Sequence, residues 1–86
     1  MPRAATQIFS REFDAILAKL PESVAALVLE KIDDIGRRLD AFPHYRMTGR
    51  NEFRLRVGDY RVIYNFDVAK NEVYLIAIGN RREIYK

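Results

Sequence analysis

The feature that most constrains this chain is a change of hydrophobic period at Pro43. Before it, apolar side chains recur every three or four residues: Phe13, Ile16, Leu17 and Leu20, then Val24, Leu27, Val28, Ile32, Ile35, Leu39 and Phe42. After it they alternate, with Arg54 and Arg56 between Phe53, Leu55 and Val57, and with Arg61, Ile63 and Asn65 between Tyr60, Val62, Tyr64 and Phe66. A spacing near 3.6 gathers the first sets on one face of a helix, and a spacing of two gathers the second on one face of a strand. The chain must therefore bury helical stripes against a sheet face, which is an α+β layer arrangement.

Punctuation between these runs predicts the order of elements. Ser10 stands where an N-cap is wanted, and Thr6 to Phe9 before it reads as a short edge strand. Pro21 cannot continue the first helix but suits the first position of a second, whose period carries on to Pro43. Gly36 lies close to the buried stripe of that second helix, where a missing side chain lets another element approach. Gly58-Asp59 separates the two alternating runs as a tight hairpin turn. Lys70-Asn71 makes the turn before a third run, Val73 to Ile78, whose two alternating sets are both apolar, as expected of a central strand buried on both sides. The expected fold is thus a single domain over residues 1–86. Two N-terminal helices pack on one face of a small antiparallel sheet, a three-stranded meander plus the N-terminal edge strand.

Composition narrows the chemistry. Hydrophobic residues make up 49% of 86 residues, enough for one modest core in a domain of this size. There is no cysteine and one histidine, His44, which argues against disulfides, a thiol nucleophile or a histidine-based metal site and fits a reducing cytoplasm. The longest apolar runs, Val24 to Leu29 and Val73 to Ile78, are far shorter than the roughly 18 residues of a membrane span, and no apolar signal-peptide core stands at the start. Four dispersed glycines, Gly36, Gly49, Gly58 and Gly79, form no phosphate-cradling loop, so no nucleotide cofactor is expected. Asp33 and Asp34 lie off the apolar stripe with Arg37 and Arg38 four residues on, and read as surface ion pairs rather than as an acid–base or metal pair.

Charge is placed unevenly. Residues 1–43 carry six basic and seven acidic side chains, whereas residues 44–86 carry nine and five. The basic half also holds all five tyrosines and Arg46, Arg50, Arg54, Arg56, Arg61, Arg81 and Arg82. Guanidinium presents a planar fork of donors that matches phosphate oxygens and stacks on a base, so this half points to a phosphate-bearing ligand. If Phe53, Leu55 and Val57 face the helices, Arg54 and Arg56 project from the opposite sheet face, and the antiparallel turn returns Arg61 beside them.

The segments Phe53-Arg-Leu-Arg-Val-Gly-Asp-Tyr-Arg-Val-Ile-Tyr64 and Ile78-Gly-Asn-Arg-Arg-Glu-Ile-Tyr85 resemble the RelE/ParE superfamily of type II toxin–antitoxin toxins, nearer its RelE-like branch. The Leu20-Pro21 helix junction and the Gly49 to Phe53 approach fall in the same order. The resemblance implies a compact α+β ribonuclease that enters the ribosomal A site and cuts messenger RNA by metal-independent attack of a ribose 2′-hydroxyl, with no cofactor. By motif position it puts phosphate clamping on Arg61 and Arg81, substrate orientation and charge stabilisation on Arg54 and Arg56, and orientation or deprotonation of the nucleophile on Tyr85. Arg50 and Arg82 join the RNA-binding set. Where the best-known members carry lysines on the first hairpin strand this chain has arginines, which are never deprotonated, so neither is a general base.

The same resemblance implies partners: a cognate RelB-like antitoxin, acidic and helical, which covers the arginine face or shifts the C-terminal segment; the ribosome with its messenger; and operator DNA only through the antitoxin complex. Two other functions share the fold. One is a ParE-like inhibitor of DNA gyrase without catalysis of its own, and the other is an inactive toxin-like interaction module. His44 follows Pro43 in a loop and matches no catalytic position of the family.

Overall fold

The computed structural model describes residues 3–80. A strand β1 (Thr6–Phe9) leads into helix α1 (Arg11–Leu17) and helix α2 (Glu22–Arg37), followed by strands β2 (Tyr45–Arg46), β3 (Phe53–Val57), β4 (Tyr60–Asp67) and β5 (Glu72–Asn80). The five strands form one sheet in the order β1-β5-β4-β3-β2, antiparallel throughout except that β1 runs parallel to β5. Both helices cover one face of it. Phe13, Val28, Ile32, Ile35 and Leu39 meet Val57, Val62, Tyr64, Val73, Leu75 and Ile78 in a single buried cluster. Among the described residues no helix is long and apolar enough to cross a membrane.

Local chemistry sets the element ends. The Ser10 hydroxyl accepts from the Phe13 N–H at 3.0 Å and donates to the Ile76 carbonyl at 2.7 Å, so the cap of α1 is also its tie to the sheet. Pro21 is the N-cap of α2, its carbonyl accepting from the Val24 and Ala25 N–H groups. The second helix stops at Arg37, short of the expected Pro43. Within a helix, the ring of Pro43 would clash with the carbonyl of Leu39 and disfavour helical backbone at Phe42. The chain instead closes a turn from Phe42 N–H to the Arg38 carbonyl and frees the Leu39 carbonyl for a side chain. Leu27 departs from the expected stripe: it is 42% exposed, because Val24, Val28, Ile32 and Ile35 alone make up the face turned to the sheet.

Three features of the sheet differ from the sequence expectation, the first being that β1 runs parallel to β5, so that the sheet is mixed and not antiparallel. Strand β2, only two residues long, pairs Tyr45 with Arg54 and Arg46 with Phe53; a segment so short has no period to read. Strand β5 is interior, between β1 and β4, but the middle position belongs to β4. Its doubled apolar pattern comes from a bulge and not from equal burial on two sides. Ile63 pairs with Ala77 while Tyr64 pairs with Leu75, leaving Ile76 over. An extra residue reverses the alternation, so Val73 and Leu75 face the helices before the bulge and Ile78 faces them after it.

The surface charges and Gly36 also resolve. Asp34 takes a two-point contact from Arg38 at 2.7 and 3.1 Å and a longer one from Arg37 at 3.6 Å; the Arg38 hydrogen bonds hold its carboxyl below the usual range. Asp33 does not pair with Arg37 but accepts from the Gln7 amide at 2.6 Å, tying α2 to β1. The Gly36 carbonyl accepts from the Ala5 N–H at 3.0 Å, which is the close approach expected there. Yet a Cβ at Gly36 would stand 3.6 Å from the Ala5 carbonyl oxygen, ordinary contact. Since glycine costs a helix interior about 1 kcal/mol relative to alanine, Gly36→Ala is expected to stabilise the domain by about 0.5–1 kcal/mol. Urea unfolding checks this, and a lower midpoint would mean that Ala5 has no room to give.

Candidate functional site

The site is built on the hairpin of β3 and β4. Val57 pairs with Tyr60 across a two-residue turn in which Gly58 takes φ +59°, a left-handed value that glycine adopts without strain. With that register, Arg56 lies directly opposite Arg61, and Arg54 lies opposite Ile63. All three arginines leave the sheet on the face away from the helices, as the alternation requires. The bulge in β5 then sets Gly79 across from Arg61, so that row ends in a position without a side chain. Like charges directly opposite one another are destabilising. Arg54 and Arg56 are exposed, Arg61 is half-buried, and among the described residues Arg54 makes no ion pair while Arg56 makes only a long 3.4 Å contact to the Gly58 carbonyl.

Beside these arginines β2 ends after two residues and leaves the edge of β3 uncovered. A cleft of about 340 Å³ opens there, lined by Phe42, Pro43, Tyr45, Arg54, Leu55, Arg56 and Arg61. Among the described residues its lining includes no carboxylate, lysine or histidine. The described residues can therefore hold and polarise an anion, but they offer it no ordinary proton acceptor.

His44 does not belong to the cleft and instead holds one wall of it in place. Its Nε2 donates to the Leu39 carbonyl at 2.7 Å, the carbonyl that Pro43 kept out of the helix. A carbonyl only accepts, so in the neutral ring Nδ1 is the acceptor and the Tyr64 hydroxyl donates to it at 2.6 Å. Burial pushes the Tyr64 phenol up, which keeps that donor protonated. The imidazole also stacks on Phe66 with centroids 3.9 Å apart and meets Phe42 and Phe53 at 5.3 and 5.7 Å. With both nitrogens engaged and four aromatic rings around it, His44 pins residues 39–44 to the sheet and so positions Pro43 and Tyr45. Its place in the sequence, after Pro43 and at no catalytic position of the family, gives no sign of this; the long-range contact to Tyr64 reveals it.

The other site residues expected from sequence divide in two. Arg50 is not brought to the cleft; its guanidinium pairs with Glu52 at 2.8 Å in the turn between β2 and β3. Arg81, Arg82 and Tyr85 lie outside the described residues. Tyr45 was not singled out by sequence, yet it stands on the arginine face beside Arg54.

A family model described as the ParE toxin of type II toxin–antitoxin system, parDE, matches residues 7–85. Among solved structures, the toxin–antitoxin complex RelBE2 from Mycobacterium tuberculosis matches at 26% identity, over 92% of this chain and 100% of that one, with a TM-score of 0.73. The archaeal RelE–RelB complex from Pyrococcus horikoshii OT3 (21% identity, 94% and 99% covered, TM-score 0.77) and the isolated E. coli RelE toxin (19%, 95% and 92%, 0.76) share the fold. No curated protein sequence matches significantly.

Two outcomes follow from this geometry. Tyr64→Phe removes the donor to His44 Nδ1 and leaves a half-buried acceptor unsatisfied, which is expected to cost about 1–2 kcal/mol in chemical denaturation; an unchanged midpoint would show that the network does not hold the wall. Inorganic phosphate is expected to raise the melting temperature by several degrees over chloride at matched ionic strength, because an anion relieves the facing guanidinium groups. An Arg54→Ala/Arg56→Ala double variant should lose that rise, and if it kept it the anion would be bound elsewhere.

Proposed function

The chain belongs to the ParE toxin family of type II toxin–antitoxin systems, and from that premise we propose that it is a ribosome-dependent endoribonuclease that cuts messenger RNA in the A site. The observation that carries this reading is the set of Arg54, Arg56 and Arg61 on one sheet face, beside a cleft that has no acidic lining among the described residues. Attack by a ribose 2′-oxygen on the neighbouring phosphorus forms a new O–P bond as the bond to the 5′-oxygen breaks. The proton of the 2′-hydroxyl is lost, and the departing 5′-oxygen gains one. Charge on the phosphoryl oxygens peaks between these events, where fixed guanidinium groups stabilise it. In-line placement of the 2′-oxygen contributes the rest.

Within this reading Arg61 clamps the phosphate with Arg81, and Arg54 and Arg56 orient the strand and stabilise charge. Arg50, tied to Glu52, and Arg82 contribute to RNA affinity. Tyr85 orients or deprotonates the nucleophile. The partner is a RelB-like antitoxin, as the Mycobacterium tuberculosis and Pyrococcus horikoshii structures are toxin–antitoxin complexes; an acidic helical segment suits the arginine face by charge. The translating ribosome places the activity in the cytoplasm, and operator DNA is met through the antitoxin. A second reading, inhibition of DNA gyrase without catalysis, is favoured by the ParE description of the matching family.

Primer extension on a messenger in a purified translation system separates the two. Cuts are expected only with ribosomes, and Arg56→Ala and Arg81→Ala are each expected to slow them by about 100-fold or more, the usual effect of removing one transition-state donor. Intact messenger together with inhibited supercoiling by gyrase would replace the ribonuclease reading with the second one.

A further inference from the structure

Among the described residues Tyr45 is the exposed aromatic of this part of the sheet. It is 62% exposed, although Phe42, Phe53, Tyr64 and Phe66 nearby are all drawn into the ring cluster around His44. Among the described residues the Tyr45 ring makes no ring or cation contact, so its π-faces are open. Its backbone is nevertheless held: Tyr45 pairs with Arg54, and His44 next to it is anchored at both ring nitrogens. An open aromatic face on a fixed backbone is what a stacking platform requires, since little freedom remains to be lost when a planar partner arrives.

Its neighbours specify that partner. Tyr45 shares the outer sheet face with Arg54, Arg56 and Arg61 and lines the same cleft. Adjacent strands lie about 4.8 Å apart and alternate residues about 6.8 Å along a strand, so the ring stands about one nucleotide's reach from the guanidinium groups. A ligand that satisfies both must carry an aromatic plane and a phosphate close together. We propose that Tyr45 stacks on a base of the RNA strand whose phosphate Arg54, Arg56 and Arg61 hold, and so helps to set which A-site codons are cut. This rests on the ribonuclease reading above and adds a positioning residue to it. Stacking is tolerant of base identity but stronger for purines, which gives the site a graded preference and not an absolute one.

The test uses the full-length toxin on ribosome complexes programmed with defined A-site codons, one base of the codon being the fluorescent purine analogue 2-aminopurine. Wild type is expected to quench that fluorescence on binding and Tyr45→Ala to lose most of the quenching. In cleavage, Tyr45→Ala should raise the half-saturating complex concentration about 10-fold with kcat nearly unchanged, because stacking holds substrate and transition state alike. It should also flatten the difference between purine and pyrimidine codons. Tyr45→Phe, which keeps the ring, should restore all three properties. If wild type cuts while Tyr45→Ala cuts and quenches equally well, stacking is overturned and the ribonuclease stands. If Tyr45→Phe is as impaired as Tyr45→Ala, the hydroxyl and not the ring is what matters, and the proposal fails. If Tyr45→Ala weakens only antitoxin binding, the face serves a protein partner instead. If wild type leaves every messenger intact, both readings fall together.

Discussion

The register of the β3–β4 hairpin is the constraint on which the rest of this structure depends. The turn at Gly58-Asp59 closes on Val57 and Tyr60, and every alternate residue outward from it is committed to one face. A slip of one residue would carry Arg54, Arg56 and Arg61 into the core and expose Leu55 and Val62. Burial and function are thus two consequences of one pairing. Apolar side chains on the inner face hold the register, and the register brings Arg56 against Arg61. Val57, Val62 and Tyr64 are buried on that inner face.

A second constraint acts from the other end of the site. Pro43 ends the helical path before Phe42 and releases the Leu39 carbonyl, which His44 takes up. Because the same ring accepts from Tyr64 on β4, a local proline effect becomes a tie between the segment after α2 and the middle of the sheet. That tie sets one wall of the cleft, where Pro43 and Tyr45 face the edge of β3. The cleft exists because β2 is only two residues long and leaves β3 beyond Arg54 uncovered. Open edges invite unwanted strand pairing; here the edge is bordered by arginines, which discourages it.

Membership of a toxin family and this geometry bear on different questions. The family match spans nearly the whole chain and fixes the class of protein. The chemistry of the face adds that it suits an anionic ligand, since Arg54, Arg56 and Arg61 share it and, among the described residues, no carboxylate lines the cleft. On the proposed ribonuclease reading, an antitoxin and an RNA strand would compete for that surface, a direct physical route to neutralisation.

The sequence by itself determined the existence and order of both helices and of four of the five strands, including the edge strand Thr6–Phe9, together with the Ser10 cap and the placing of Arg54, Arg56 and Arg61 on one face. Each of these follows from spacing along a few neighbouring residues, which local sterics translate directly into direction. Only the tertiary structure decided the bulge at Ile76, the two-residue strand, the role of His44 and the exposure of Tyr45. A bulge and a strand buried on both faces leave the same doubled apolar pattern, and only the partner strand distinguishes them. His44 and Tyr64 are 20 residues apart, and whether Tyr45 stays open depends on which aromatics the cluster around that histidine has already taken. Such outcomes depend on long-range packing, which no short window of sequence contains.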